Sequence, residues 1–145
     1  MIASLRHHHT ALHVSDVERS LQFYVDGLGM SAVERWRSGA YIEELFARPG
    51  VQVFATLLTT SDHSFMLELV DASPKVPPVD PSGAAPGTAH LAFGVPDVKS
   101  LFDRMMHLGF SAVSSPVVPD SGPNAGGMLV YLLDPDGNRV ELIQE

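Results

Sequence analysis

The sequence has no cysteine. A disulfide framework and a thiolate metal site are therefore both excluded, and any metal must be held by nitrogen and oxygen donors. Positive charge is scarce: 9 Lys and Arg stand against 17 Asp and Glu, for a formal net charge of −8. A negative field of that size repels phosphate backbones, so no nucleic-acid partner is expected. No apolar run approaches bilayer-spanning length, and the first residues lead into three histidines without the apolar stretch of a signal peptide. A cytoplasmic protein without a membrane partner is expected. Hydrophobic residues make up 45% of the chain and charged residues 18%, which excludes disorder. Its 145 residues suffice for a single domain (1–145) with its own core.

The chain repeats itself. His9-Thr10-Ala11-Leu12-His13-Val14-Ser15-Asp16-Val17 and His90-Leu91-Ala92-Phe93-Gly94-Val95-Pro96-Asp97-Val98 share the pattern His-x-Ala-x-x-Val-x-Asp-Val at an offset of 81 positions. Ser20-Leu21 answers Ser100-Leu101, Leu28-Gly29 answers Leu108-Gly109, and Leu67-Glu68-Leu69 answers Val140-Glu141-Leu142. An ordered series of this kind indicates two related modules in tandem. Module one covers about 5–70 and module two about 88–145, with a linker at 71–87 carrying five prolines.

Each module reads as βαβββ. Strands are expected at 7–14 and 88–95, then at 31–38, 51–59 and 64–70 in the first module and 110–117, 127–133 and 139–144 in the second. Ser15 with Glu18 suggests a capping box, and Asp97 an N-cap. One helix face gathers Val17, Leu21, Tyr24, Val25 and Leu28; the other gathers Val98, Leu101, Phe102, Met105 and Met106. Gly29 and Gly109 suit left-handed C-caps, and Asp134-Pro135-Asp136-Gly137 is a turn. The fold class is α+β.

Alternation along the strands separates two faces. Thr10, Leu12 and Val14 face the first helix, leaving His9, Ala11 and His13 opposite. Leu91, Phe93 and Val95 face the second, leaving His90, Ala92 and Gly94 opposite. Glu68 lies between Leu67 and Leu69, and Glu141 between Val140 and Leu142, so both carboxylates share the histidine face. If that face curls into a cleft, two imidazoles and two carboxylates meet. An uncompensated buried carboxylate is costly, and a divalent cation (Zn, Ni, Co, Mn or Fe) removes the cost. His7 lies on the face of His9, and His8 on the other. His13 is a candidate for touching substrate, although simple packing also accounts for it. The loop Gly122–Gly127 lacks the Lys-Ser/Thr ending of a phosphate loop.

The pattern His-x-x-x-x-Val-x-Asp, followed by Ser-Leu-Gln-Phe-Tyr, Leu-Gly-Met and the closing Asp134-Pro135-Asp136-Gly137-Asn138-Arg139-Val140-Glu141-Leu142, resembles the glyoxalase / bleomycin-resistance / extradiol-dioxygenase superfamily, whose chemistry is vicinal oxygen chelation. The resemblance implies paired modules forming an open eight-stranded cup around one divalent metal per chain, in a homodimer. It implies His9, Glu68, His90 and Glu141 as ligands. That complement is similar to glyoxalase I, whose usual glutathione-gripping Arg and Asn are here His13 and Ala72. The expected activity is a lyase or isomerase reaction on a small molecule with adjacent oxygens, Glu68 or Glu141 taking a proton. Glu43 and Glu44 are weaker candidates for a second base. Two alternatives stand: an Fe(II) extradiol-type dioxygenase using His9, His90 and Glu141, and a drug-binding resistance protein.

Overall fold

The computed structural model describes residues 4–81 and 84–145; Ser82 and Gly83, in the proline-rich linker, and the first three residues lie outside them. The chain divides into two compact units, Met1–Pro77 and Pro78–Glu145. Both belong to an α+β fold of mixed four-stranded sheets.

In the first unit the order is β1 (Thr10–His13), α1 (Val17–Leu21), β2 (Ser31–Arg37), α2 (Tyr41–Leu45), β3 (Gln52–Thr59) and β4 (Met66–Ser73). Its sheet runs β1-β4-β3-β2, with β1 parallel to β4 and the other pairs antiparallel. The second unit contains β5 (Leu91–Val95), α3 (Val98–His107), β6 (Ser111–Ala112), β7 (Leu129–Leu133) and β8 (Arg139–Gln144). Its order, β5-β8-β7-β6, and its one parallel pair repeat the first. The parallel pair joins the first strand of each unit to the last. It requires a crossover, which α1 or α3 begins.

Both helices start at equivalent aspartates. Asp16, in extended conformation, accepts the N–H groups of Glu18 and Arg19, and Asp97 accepts that of Ser100. The expected cap at Ser15 is thus corrected by one residue: the acid, with the stronger acceptor, takes the position. Beyond Leu21 the helix widens into a π-helical turn over Gln22–Gly27. The wider turn brings Phe23 and Gly27 onto the buried face beside Ser20 and the expected Tyr24, while Val17, Leu21, Val25 and Leu28 of the predicted stripe are half-buried. In α3, which stays regular, Val98 and Met105 are buried as expected. Gly29 and Gly109 follow the two helices at φ +81° and +88°, a left-handed conformation that favours glycine.

Side chains alternate as the sequence pattern predicts. Leu67, Leu69, Val140 and Leu142 are completely buried, while Glu68 and Glu141 between them are not. The strand bounds differ most from expectation in four strands. β1 and β5 begin at Thr10 and Leu91, one step after His9 and His90. β4 runs to Ser73, into the expected linker, because its antiparallel ladder with β3 continues to Gln52↔Ser73. β6 shrinks to two residues plus a single bridge, Val117↔Leu129, since Pro116 lacks a ladder N–H. The short helix α2 was not expected. It lies over an apolar cluster of Ile42, Val51, Val53 and Val70, with Phe46 and Ala72 packed against it.

Candidate metal centre

The register of the parallel ladders sets the geometry. Ala11 lies opposite Glu68 in one sheet, and Ala92 lies opposite Glu141 in the other. In each case the histidine stands two residues before the alanine, hence on the same face and diagonal to the carboxylate. The alanines have side chains too small to fill the space between. His9 Nε2 is 3.6 Å from Glu68 Oε2, and His90 Nε2 is 3.3 Å from Glu141 Oε2. The same two atoms meet in both units. Neither distance is that of a well-formed hydrogen bond. The carboxylates are the more enclosed partners, with side-chain exposures of 19% and 16% against 35% and 45% for the histidines.

The structure therefore brings the four residues together two by two. Within each unit, among the described residues, no third His, Asp or Glu joins the pair closely enough to hold an ion.

The surroundings of the pairs differ. In the first unit His8 Nδ1 is 2.7 Å from His9 Nδ1, so His8 turns towards His9 and not away as strand alternation suggests. Alternation fails here because β1 has not yet begun. His7 instead meets the Thr10 hydroxyl at 3.2 Å and stacks on Phe65. His13 is exposed, with its ring edge-on to Phe46 at 5.8 Å. Its counterpart in the repeat is Gly94, where an added Cβ would make the Glu145 side chain move aside. Glu43 accepts the Gly50 N–H at 3.0 Å, which ties it to the turn after α2.

In the second unit Tyr131 stands directly opposite Glu141 and meets the His90 ring edge-on at 5.3 Å. The Arg139 guanidinium lies over the Tyr131 ring, 5.3 Å from its centroid. Sequence reasoning missed both residues. The signal was present, because Arg139 precedes Glu141 by two positions and Tyr131 alternates with buried Val130 and Leu132. The turn that sets this register is held by Asp134, which is buried. Its carboxylate accepts the N–H groups of Asp136 (2.9 Å) and Asn138 (2.8 Å) and the Asn138 side-chain amide (3.0 Å). The Gly122–Gly127 loop is closed by its own backbone bonds, including Gly126 N–H to Pro119 C=O at 3.0 Å.

None of the helices of the described residues is long and apolar enough to cross a membrane. The chain is 29% identical over 140 residues to a probable lactoylglutathione lyase of Synechocystis sp., covering 94% of this chain and 92% of that protein. It is 29% identical over 144 residues to the glutathione transferase FosA of Serratia marcescens, covering 98% and 81%. A glyoxalase family protein of Bacillus cereus superposes with a TM-score of 0.83 at 20% identity, over 99% of this chain and 96% of that one. The family model for the Glyoxalase/Bleomycin resistance protein/Dioxygenase superfamily matches residues 6–142. The chain belongs to that superfamily.

Proposed function

We propose that this protein is a divalent-metal-dependent lyase or isomerase, with His9, Glu68, His90 and Glu141 as ligands of one ion per chain. The observation that carries the reading is the matched His–Glu spacing. Two donors each about 2.1 Å from one ion stand roughly 3.0 Å apart at a right angle and roughly 3.4 Å apart at the tetrahedral angle. The separations of 3.3 and 3.6 Å lie near those values and outside good hydrogen-bond range. The donor set, imidazole nitrogen with carboxylate oxygen, suits Zn, Ni, Co, Mn or Fe. Each pair supplies half of a four-ligand set, so one pair of each kind serves each ion.

The ion, when bound, polarises paired substrate oxygens and acidifies the neighbouring C–H bond. The protein's part is to hold and move the proton. Glu68 and Glu141 are partly enclosed between fully buried apolar neighbours. Either takes the proton from carbon and returns it to the adjacent position. Tyr131 keeps the His90 ring in place. The substrate is a small molecule with adjacent oxygens, and the protein works as a homodimer. Glu68 sits by His9 much as Glu141 sits by His90, which disfavours a dioxygenase that uses only three of the four. The lyase names of relatives such as the Synechocystis protein support the same class.

The deciding experiment combines elemental analysis of the purified protein with a panel of hemithioacetals, acyl-CoA epimers and catechols, assayed with and without air. Turnover of a hemithioacetal or an epimer, unaffected by removing oxygen, bears out the reading. Catechol cleavage with stoichiometric oxygen uptake refutes it.

A further inference from the structure

We propose that Arg139 sets substrate specificity by binding a carboxylate that the substrate carries a few bonds from its paired oxygens; the inference rests on the reading of His90 and Glu141 as metal ligands. Arg139 stands two residues before Glu141 on β8, so strand alternation puts both side chains on one face of the sheet. The parallel ladder pairs Leu91 with Val140, which sets Arg139 level with His90, each one residue earlier. Tyr131, directly across from Glu141, completes the group. Its ring meets the His90 ring edge-on at 5.3 Å and has the Arg139 guanidinium over it, also 5.3 Å from the centroid. A permanent positive charge is thus held one aromatic ring away from His90, on the face that presents Glu141.

The chemistry of the side chain and the repeat both point to an anion. A guanidinium is always charged in a protein, and its planar fork of N–H donors matches both oxygens of a carboxylate. The cation–π contact with Tyr131 restricts the half-buried side chain, so less freedom is lost when a ligand binds. The sheet itself does not need a cation at this place. In the first unit Met66 precedes Glu68 by two positions and Leu57 lies across from Glu68, so apolar side chains fill both equivalent positions. The same strand order forms with either pair. With a net charge of −8 the chain as a whole repels an anionic substrate, and a local cation offsets that repulsion where it matters.

The test uses the full-length, zinc-loaded chain, with zinc content measured on the same samples, and two probes of equal chain length. 2-Hydroxyglutarate and 2-hydroxyvalerate both offer a hydroxyl and a carboxylate for chelation, and only the first has a second carboxylate at its far end. By calorimetry the wild type should bind 2-hydroxyglutarate about tenfold more tightly, at the lower end for a hydrogen bond to a charged group. Arg139→Gln should bind the two acids alike. Arg139→Met, which copies the first unit, should do the same, and Arg139→Lys should keep part of the preference because lysine retains the charge without the fork. A merely structural Arg139 would lower both affinities together and leave their ratio intact. Equal binding of the two acids by the zinc-loaded wild type, or a preference that survives in the neutral variants, overturns the proposal. A chain that holds no zinc yet prefers the diacid in an Arg139-dependent way overturns the metal reading and leaves the carboxylate subsite standing.

Discussion

Tyr131 stands across the β7–β8 ladder from Glu141, where the first unit pairs Leu57 with Glu68. The two sheets share strand order and register, yet they offer their carboxylates different neighbours. One glutamate has an aliphatic neighbour, and the other a phenol that also contacts His90. Replacing Tyr131 by Leu should therefore loosen His90 and weaken zinc binding several-fold, up to the ~10–100-fold seen for outer partners. Chelator competition measures this, and Leu57→Ala serves as the comparison that should leave affinity nearly intact.

His90→Ala should remove a direct donor. Metal content by elemental analysis should fall well below that of the wild type, by more than the Tyr131 substitution causes. Full stoichiometry in His90→Ala would refute the four-ligand assignment.

Glu68→Gln separates holding a metal from moving a proton. An amide oxygen still ligates weakly but accepts no proton. The rate constant should fall by about 10²–10⁴-fold, the usual worth of a general base, while bound metal falls much less. Equal losses in both would make Glu68 a ligand only.

The turn between β3 and β4 gives a pH signature. Asp62 accepts the Thr60 hydroxyl and both the N–H and the hydroxyl of Ser64, which lower its carboxyl pKa from 3.8 to about 2. A depressed carboxyl pKa contributes stability that is fully present above the unfolded value and is lost as pH falls through the folded one. Asp62→Ala should therefore lower Tm at neutral pH, and the gap from wild type should close as pH drops from 3.8 to about 2. Thermal melts across that range test it. A gap independent of pH would show that the carboxylate charge is not what stabilises the turn.

Asp16→Ala should cost about 1 kcal/mol through two lost acceptor contacts at the start of α1. Ser15→Ala should cost less, as measured by denaturant unfolding of both variants.

Much of this architecture was legible in the chain. The 81-residue offset and period-two alternation placed His9, His90, Glu68 and Glu141 on the faces where they lie, because alternation follows from strand geometry alone. What escaped detection depended on competition between local alternatives. The π-helical turn at Gln22–Gly27 moves the buried face onto Phe23, which an ideal helical period cannot anticipate. The start of β1 at Thr10 is set by where its partner β4 can pair, so the orientation of His8 had no sequence signal. Tyr131 and Arg139 obeyed the same alternation as Glu141 but look like ordinary strand residues until their neighbours are known.

β1 and β5 are the edge strands of their sheets, and each is hydrogen-bonded to one neighbour. They hold His9 and His90 just ahead of their first residues, while the paired glutamates sit on inner strands. A metal bridging each pair would act as a rivet between the loosest and the firmest parts of the sheet, closing a loop of nearly the whole unit. Amide exchange at Thr10–His13 and Leu91–Val95 would then slow on metal loading far more than exchange at β4 or β8, so that each ladder's outermost strand would record whether the ion is in place.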